Sequence, residues 1–145
     1  MPPARSAKPA VPISRLRRFL LLELPGWLIL AVSVAYTTSA GNGRITIFFQ
    51  LVLLSAALAW LFGGRVGNLT VGSLLCGWAA GTMANFNLLA IASIGIFLLP
   101  VTAFVLIVLV LLMSGRNLRS RAAAVGGMAL ASAVQFIFLG LFAGR

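Results

Sequence analysis

No histidine occurs in these 145 residues, and there is one cysteine and one acidic residue. Without imidazole, axial histidine ligation of haem and histidine acid–base catalysis are excluded. One thiol and one carboxylate cannot build an ordinary metal site or a paired-carboxylate active site. Cys76 lies in an apolar run and has no partner for an internal disulfide. No glycine-rich phosphate loop precedes a helix opening in Lys-Ser or Lys-Thr. The expectation is a protein that is not an enzyme and carries no cofactor.

Charge of either sign is also scarce, at 8% of residues, but what there is gives a net charge of +10. The chain is 61% hydrophobic, well beyond the roughly 45 to 50% of soluble domains. Its mean hydropathy is +1.12. Lipid is the solvent this composition suits. A basic excess can signal nucleic acid, but here five basic residues precede the first apolar run and most of the others sit in gaps between runs. Anionic membrane headgroups attract such juxtamembrane clusters at about 1 kcal/mol per Lys or Arg. Membrane lipids are therefore the expected partners, and nucleic acid is not.

Residues 66–115, between Arg65 and Arg116, contain no charged side chain. One bilayer crossing needs about 20 residues, so this stretch reads as a membrane hairpin. Asn85-Phe86-Asn87 is its natural turn, because asparagine readily ends helices. The reading is an all-α polytopic transmembrane bundle of five spans, at about 19–38, 45–62, 69–84, 88–113 and 122–142. Residues 1–18, with Pro2, Pro3, Pro9 and Pro12, are expected to form a disordered basic tail. Residues 19–145 form one membrane domain.

The positive-inside rule orients the bundle. With a cytoplasmic amino terminus and an outer carboxy terminus, only Arg44 and Arg145 fall outside. A four-span arrangement would put Arg116, Arg119 and Arg121 outside, against that rule. The basic start followed by an apolar core also resembles a secretory signal, with Thr38-Ser39-Ala40 as a small-residue cleavage site, but an internal anchor has the same appearance. The plasma or inner membrane is the expected location. Arg15, Arg17 and Arg18 form a collar at the mouth of the first span, suited to anionic headgroups on the cytoplasmic side.

Proline raises two local expectations. Pro25, early in the first span, is tolerable where first-turn amides lack partners anyway. Pro100, inside the fourth, should kink it and leave the Ile96 carbonyl without a donor.

In the third span Ser73, Gly77, Gly81 and Asn85 recur every four residues, and Gly77 with Gly81 completes a GxxxG pattern. Such faces let backbones approach closely in lipid. A matching row in the fifth span is Ala123, Gly127, Ala131 and Gln135. The two rows should pack together or flank a common neighbour, and the same faces suit a protein partner or a second copy. Trp78, beside the glycine row, reads as a bulky packing residue.

Placed by depth, Gln50, Thr82, Asn85 and Gln135 collect in the outer half of the bundle, with Tyr36 and Ser93 nearby. They are expected either to hydrogen-bond between helices or to line a shallow outward-facing pocket for a neutral solute or lipid headgroup. Glu23, the lone carboxylate, lies near the inner end of the first span and is expected to pair with Arg18 or Arg116 at the interface. Asn68-Leu69-Thr70 matches a glycosylation sequon, but at the cytoplasmic edge it would stay unmodified. The functional expectation is an accessory, assembly or scaffold subunit of a membrane complex. The alternative is a small oligomeric transporter or lipid-binding protein using the neutral pocket.

Overall fold

The computed structural model describes residues 13–39, 43–90 and 95–143. Among these there is no strand, and every long segment is helical: α1 (Ile13–Arg18), a π-helical turn (Phe19–Glu23), α2 (Leu24–Ser39), α3 (Arg44–Gly63), α4 (Leu69–Leu89), α5 (Gly95–Ser114) and α6 (Leu118–Ala143). A helix satisfies its own backbone hydrogen bonds, as a segment in lipid must. Four segments, Ser14–Ser39, Ile45–Gly63, Ile96–Ser114 and Leu118–Leu141, are long and apolar enough to cross a membrane. Their outward faces carry large apolar side chains such as Phe97, Val110, Val125 and Leu51.

The first span differs from expectation. Its helix begins at Ile13, so Arg15, Arg17 and Arg18 are on a helix rather than in a tail, and residues 1–12 lie outside the described part. Pro25 is consequently an interior residue. Its ring would collide with the carbonyl four residues earlier in a regular α-helix. The π-turn just before it widens the backbone there, with the Leu24 N–H donating to the Phe19 carbonyl five residues back.

α4 is the centre of the molecule. It packs most extensively against α6, then against α3 and α5. Gly72, Ser73, Cys76, Gly77, Ala79, Ala80, Gly81, Thr82, Met83, Phe86 and Asn87 are all buried along it. Its 21 residues reach about 30 Å, the thickness of the hydrocarbon core. Flanked by helices on several sides, it can carry small and polar residues where the outer helices carry apolar ones.

Here too the structure corrects the sequence. α4 continues through Asn85-Phe86-Asn87 to Leu89, so the turn lies later, and Ser93 lies outside the described residues. Asn85 needs no turn because it finds a partner on α6, and Asn87 is buried within the continuing helix. α5 contains Pro100 at its sixth residue and remains helical to Ser114.

Contacts at the helix ends fix their directions. Gly26 near the start of α2 meets Leu61 near the end of α3, and Gly63 at the end of α3 meets Gly72 near the start of α4. Arg116, just after α5, reaches Leu69 and Ser73 at the start of α4. Tyr36 late in α2, Phe49 early in α3 and Phe86 late in α4 cluster edge-on at the opposite end, with ring centroids 5.4 to 6.4 Å apart. Neighbouring helices in the chain thus run antiparallel. Arg15, Arg17, Arg18, Arg65, Arg116, Arg119 and Arg121 all gather at one end. The Arg44 side chain, Arg5, Lys8 and Arg145 lie outside the described residues.

Candidate functional site

The seam between α4 and α6 is built from missing side chains. A Cβ on Gly77 would run into the Ala124 carbonyl, and one on Gly127 into the Leu74 carbonyl. A Cβ on Gly81 would sit 2.8 Å from the Met128 Cα and 3.3 Å from the Ala131 Cβ. Asn85 pairs with Ser132, 47 positions further on, as Ala124 is from Gly77 and Met128 from Gly81. A constant offset over more than two turns means that α4 and α6 run parallel. Small residues permit this approach, and in lipid close van der Waals packing replaces the hydrophobic drive.

Polar groups follow the glycines up the same seam. Asn85 Nδ2 donates to Ser132 Oγ at 2.9 Å, and Gln135 Nε2 donates to Thr82 Oγ1 at 3.1 Å. Three of the four residues expected at a polar pocket are thus joined in interhelical bonds. Gln50 is half-buried on α3 and lies outside this set. None of the four lines the cavities between α2 and α5, between α5 and α6, or at the basic end. Gln135 Oε1 and Asn87 Oδ1 are buried without a hydrogen-bond partner among the described residues. Trp78 packs at the α3 side of α4 and donates to Ser55 Oγ at 3.3 Å.

At the basic end the side chains mostly serve helix termini. Asn68, the sequon asparagine, caps α4 by accepting from the Thr70 and Val71 amides. Asn117 accepts from the Ser120 amide at the start of α6. Arg121 donates to the Met113, Ser114 and Arg116 carbonyls, meeting the unpaired end of α5 with a positive charge.

Glu23 pairs with neither expected arginine. Arg116 is engaged with α4, whereas the Glu23 carboxylate lies 3.6 Å from Arg65 at the end of α3. Both side chains are substantially exposed, at 41% and 64%, so the pair adds little stability. Arg18, Leu22, Glu23, Leu61, Gly64 and Arg65 enclose a small notch of about 90 Å³.

Two larger apolar grooves flank α5. That helix leans on α4 and barely touches α2 or α6. On the α2 side a groove of about 320 Å³ is lined by residues including Leu28, Val32, Tyr36, Phe86 and Leu98. On the α6 side one of about 330 Å³ is lined by residues including Leu109, Met113, Val125 and Met128. Among the described residues no group of three metal-ligating side chains comes together. No family model, curated protein or solved structure matches this chain.

Ser55, Ser132 and Arg65 escaped sequence reasoning. Ser132 was within reach of it, since Asn85 and Ser132 extend the two small-residue rows at the register that joins Gly77 to Ala124.

Proposed function

We propose that this protein is a non-catalytic integral membrane protein, an accessory, assembly or scaffold subunit of a membrane complex. The supporting observation is the isolation of α5, attached through α4 and flanked by two apolar grooves. A bundle whose helices close only on one another needs no such grooves. A transmembrane helix of another subunit, or of a second copy, would fill them by close apolar packing. The intramembrane polar side chains of α4 and α6 are largely bonded to each other, which leaves few groups for chemistry.

The same proposal carries five spans, with α4 as the least apolar of them. The basic end faces the cytoplasm and its anionic headgroups, the carboxy terminus lies outside, and the location is the plasma or inner membrane. Purification in mild detergent followed by mass spectrometry tests the subunit role. A stoichiometric foreign membrane protein is expected, or a defined homo-oligomer; repeated recovery of a bare monomer would count against it.

A lipid-binding protein or small transporter is the second reading. It is favoured by the α2–α5 groove, whose lining is apolar but for Tyr36 and Ser39, and by Gln135 Oε1, which has no partner among the described residues. If replacing Gln50 and Gln135 by leucine preserves both folding and any solute or lipid association, the neutral polar pocket is not the means.

A further inference from the structure

The sequence's one acidic side chain, Glu23, lines the notch at the basic end together with Arg18 and Arg65. The π-turn favours this juxtaposition. In a regular α-helix residues five apart are displaced by about 140° around the axis, so Arg18 and Glu23 would face different ways. In a π-turn the hydrogen bond runs to the fifth residue, so residues five apart lie closer to one face than they do in an α-helix. Arg18 caps that turn and Glu23 ends it. The turn therefore brings an arginine and the lone acid to the same opening, where Arg65 arrives from α3.

An internal ion pair does not account for the arrangement well. At 3.6 Å the Glu23–Arg65 contact is longer than a hydrogen bond. The Arg65 and Glu23 side chains are 64% and 41% exposed and Arg18 is exposed as well, so donors and lone pairs remain open to a ligand. Leu22 and Leu61 supply an apolar floor, and the volume of about 90 Å³ admits a small polar group but no drug-sized ligand.

We infer that the notch formed by Arg18, Glu23 and Arg65 is a binding site for the headgroup of an aminophospholipid, the phosphate on the two arginines and the primary ammonium on Glu23. Charge complementarity selects that class. A purely anionic headgroup would satisfy the arginines but meet the carboxylate with like charge. A headgroup carrying phosphate and ammonium a few bonds apart answers both signs. Guanidinium suits phosphate through paired N–H donors, and a primary ammonium offers the carboxylate charged N–H donors that a quaternary ammonium lacks. The inference requires that the basic end lie at the headgroup layer. It does not depend on the subunit role.

The test uses the purified full chain in neutral detergent, titrated with phosphatidylethanolamine, phosphatidylcholine and phosphatidylglycerol of identical acyl chains. Bound lipid is counted by native mass spectrometry. One equivalent of phosphatidylethanolamine should bind about five- to tenfold more tightly than either competitor, the scale of one net hydrogen bond at a partly exposed site. Glu23→Gln should erase the preference over phosphatidylcholine while leaving phosphatidylglycerol binding as strong or stronger. Joint Arg18→Gln and Arg65→Gln replacement should weaken all three. The wild-type series is decisive even if a variant misfolds, because methylating the amine changes only the lipid. Equal affinities, no binding, or a preference for phosphatidylglycerol in the wild-type chain would overturn the inference.

Discussion

The Arg116 guanidinium donates to the Ser73 hydroxyl at 2.6 Å and to the Leu69 carbonyl at 3.1 Å, pinning the loop after α5 to the first turns of α4. Ser73 in turn donates to Leu69 at 2.7 Å, so three groups share one small network. Arg116 is half-buried, and Ser73 is fully buried. Removing the arginine leaves the serine hydroxyl with its intrahelical bond alone and frees the loop. Arg116→Ala should lower unfolding stability in detergent by about 1 to 2 kcal/mol, within the range for hydrogen bonds from charged groups after allowance for partial exposure. Both bonds leave from the one nitrogen Nη1, so Arg116→Lys, whose ammonium carries three donors on a single nitrogen, should restore part of the loss. Thermal or denaturant unfolding of the three proteins measures it.

Glycine position should matter more than glycine identity. Gly77 and Gly127 each sit where a Cβ would strike backbone of the facing helix, whereas Gly126 and Gly140 open onto free space. Backbone cannot swing aside as a flexible side chain can. Gly77→Leu or Gly127→Leu should destabilise by about 3 kcal/mol or more, the upper range of overpacking, or prevent folding. Gly126→Leu and Gly140→Leu should leave the monomer's melting temperature nearly unchanged. Loss of a copurifying partner on Gly126→Leu, with folding intact, would instead mark that face of α6 as an interface.

Much of this seam was legible beforehand, because a four-residue recurrence of small residues carries the helical period directly. The rows at Gly77 and Gly81 and at Gly127 and Ala131 name the faces that meet. The ends of helices were less legible. Asn85 and Asn87 suggest a turn by local preference, but Asn85 bonds to Ser132 on α6, Asn87 is buried, and α4 continues to Leu89. Pro25 suggests a helix start, but the chain is already helical from Ile13, and a π-turn absorbs the ring. That same turn brings Glu23 closer to the face of Arg18 than an α-helical count gives, and both line one notch. Local propensity is a weak guide wherever tertiary packing supplies the missing partner.

The upper seam predicts an asymmetry between its two members. Gln135 donates to Thr82, and its own Oε1 is buried without a partner among the described residues. Gln135→Leu removes an unsatisfied acceptor together with the bond, and the Thr82 hydroxyl can turn to its own helix carbonyl. The change should be within about 1 kcal/mol of neutral, in line with the small net worth of interhelical hydrogen bonds in membranes. Thr82→Val strands the whole amide instead and should cost about 1 to 3 kcal/mol. Unfolding both variants side by side checks the order; a larger loss for Gln135→Leu would mean that Oε1 has a partner such as a buried water.

Cysteine labelling can decide the topology, because the native thiol is silent. Cys76 is 1% exposed between α4 and its neighbours, so a membrane-impermeant maleimide should not reach it in the folded protein. Gly67 and Gly115 are exposed and have open space around them, and both lie at the basic end. Ser39 is exposed at the opposite end. In intact cells Ser39→Cys should label from outside, while Gly67→Cys and Gly115→Cys should label only after the membrane is opened. The last pair is the sharper comparison. If α4 merely dipped into the bilayer and returned, Gly67 and Gly115 would face opposite sides and one of them would label in intact cells. Equal protection of both requires that α4 and α5 each cross, and that the arginines clustered beside them share the cytoplasmic face.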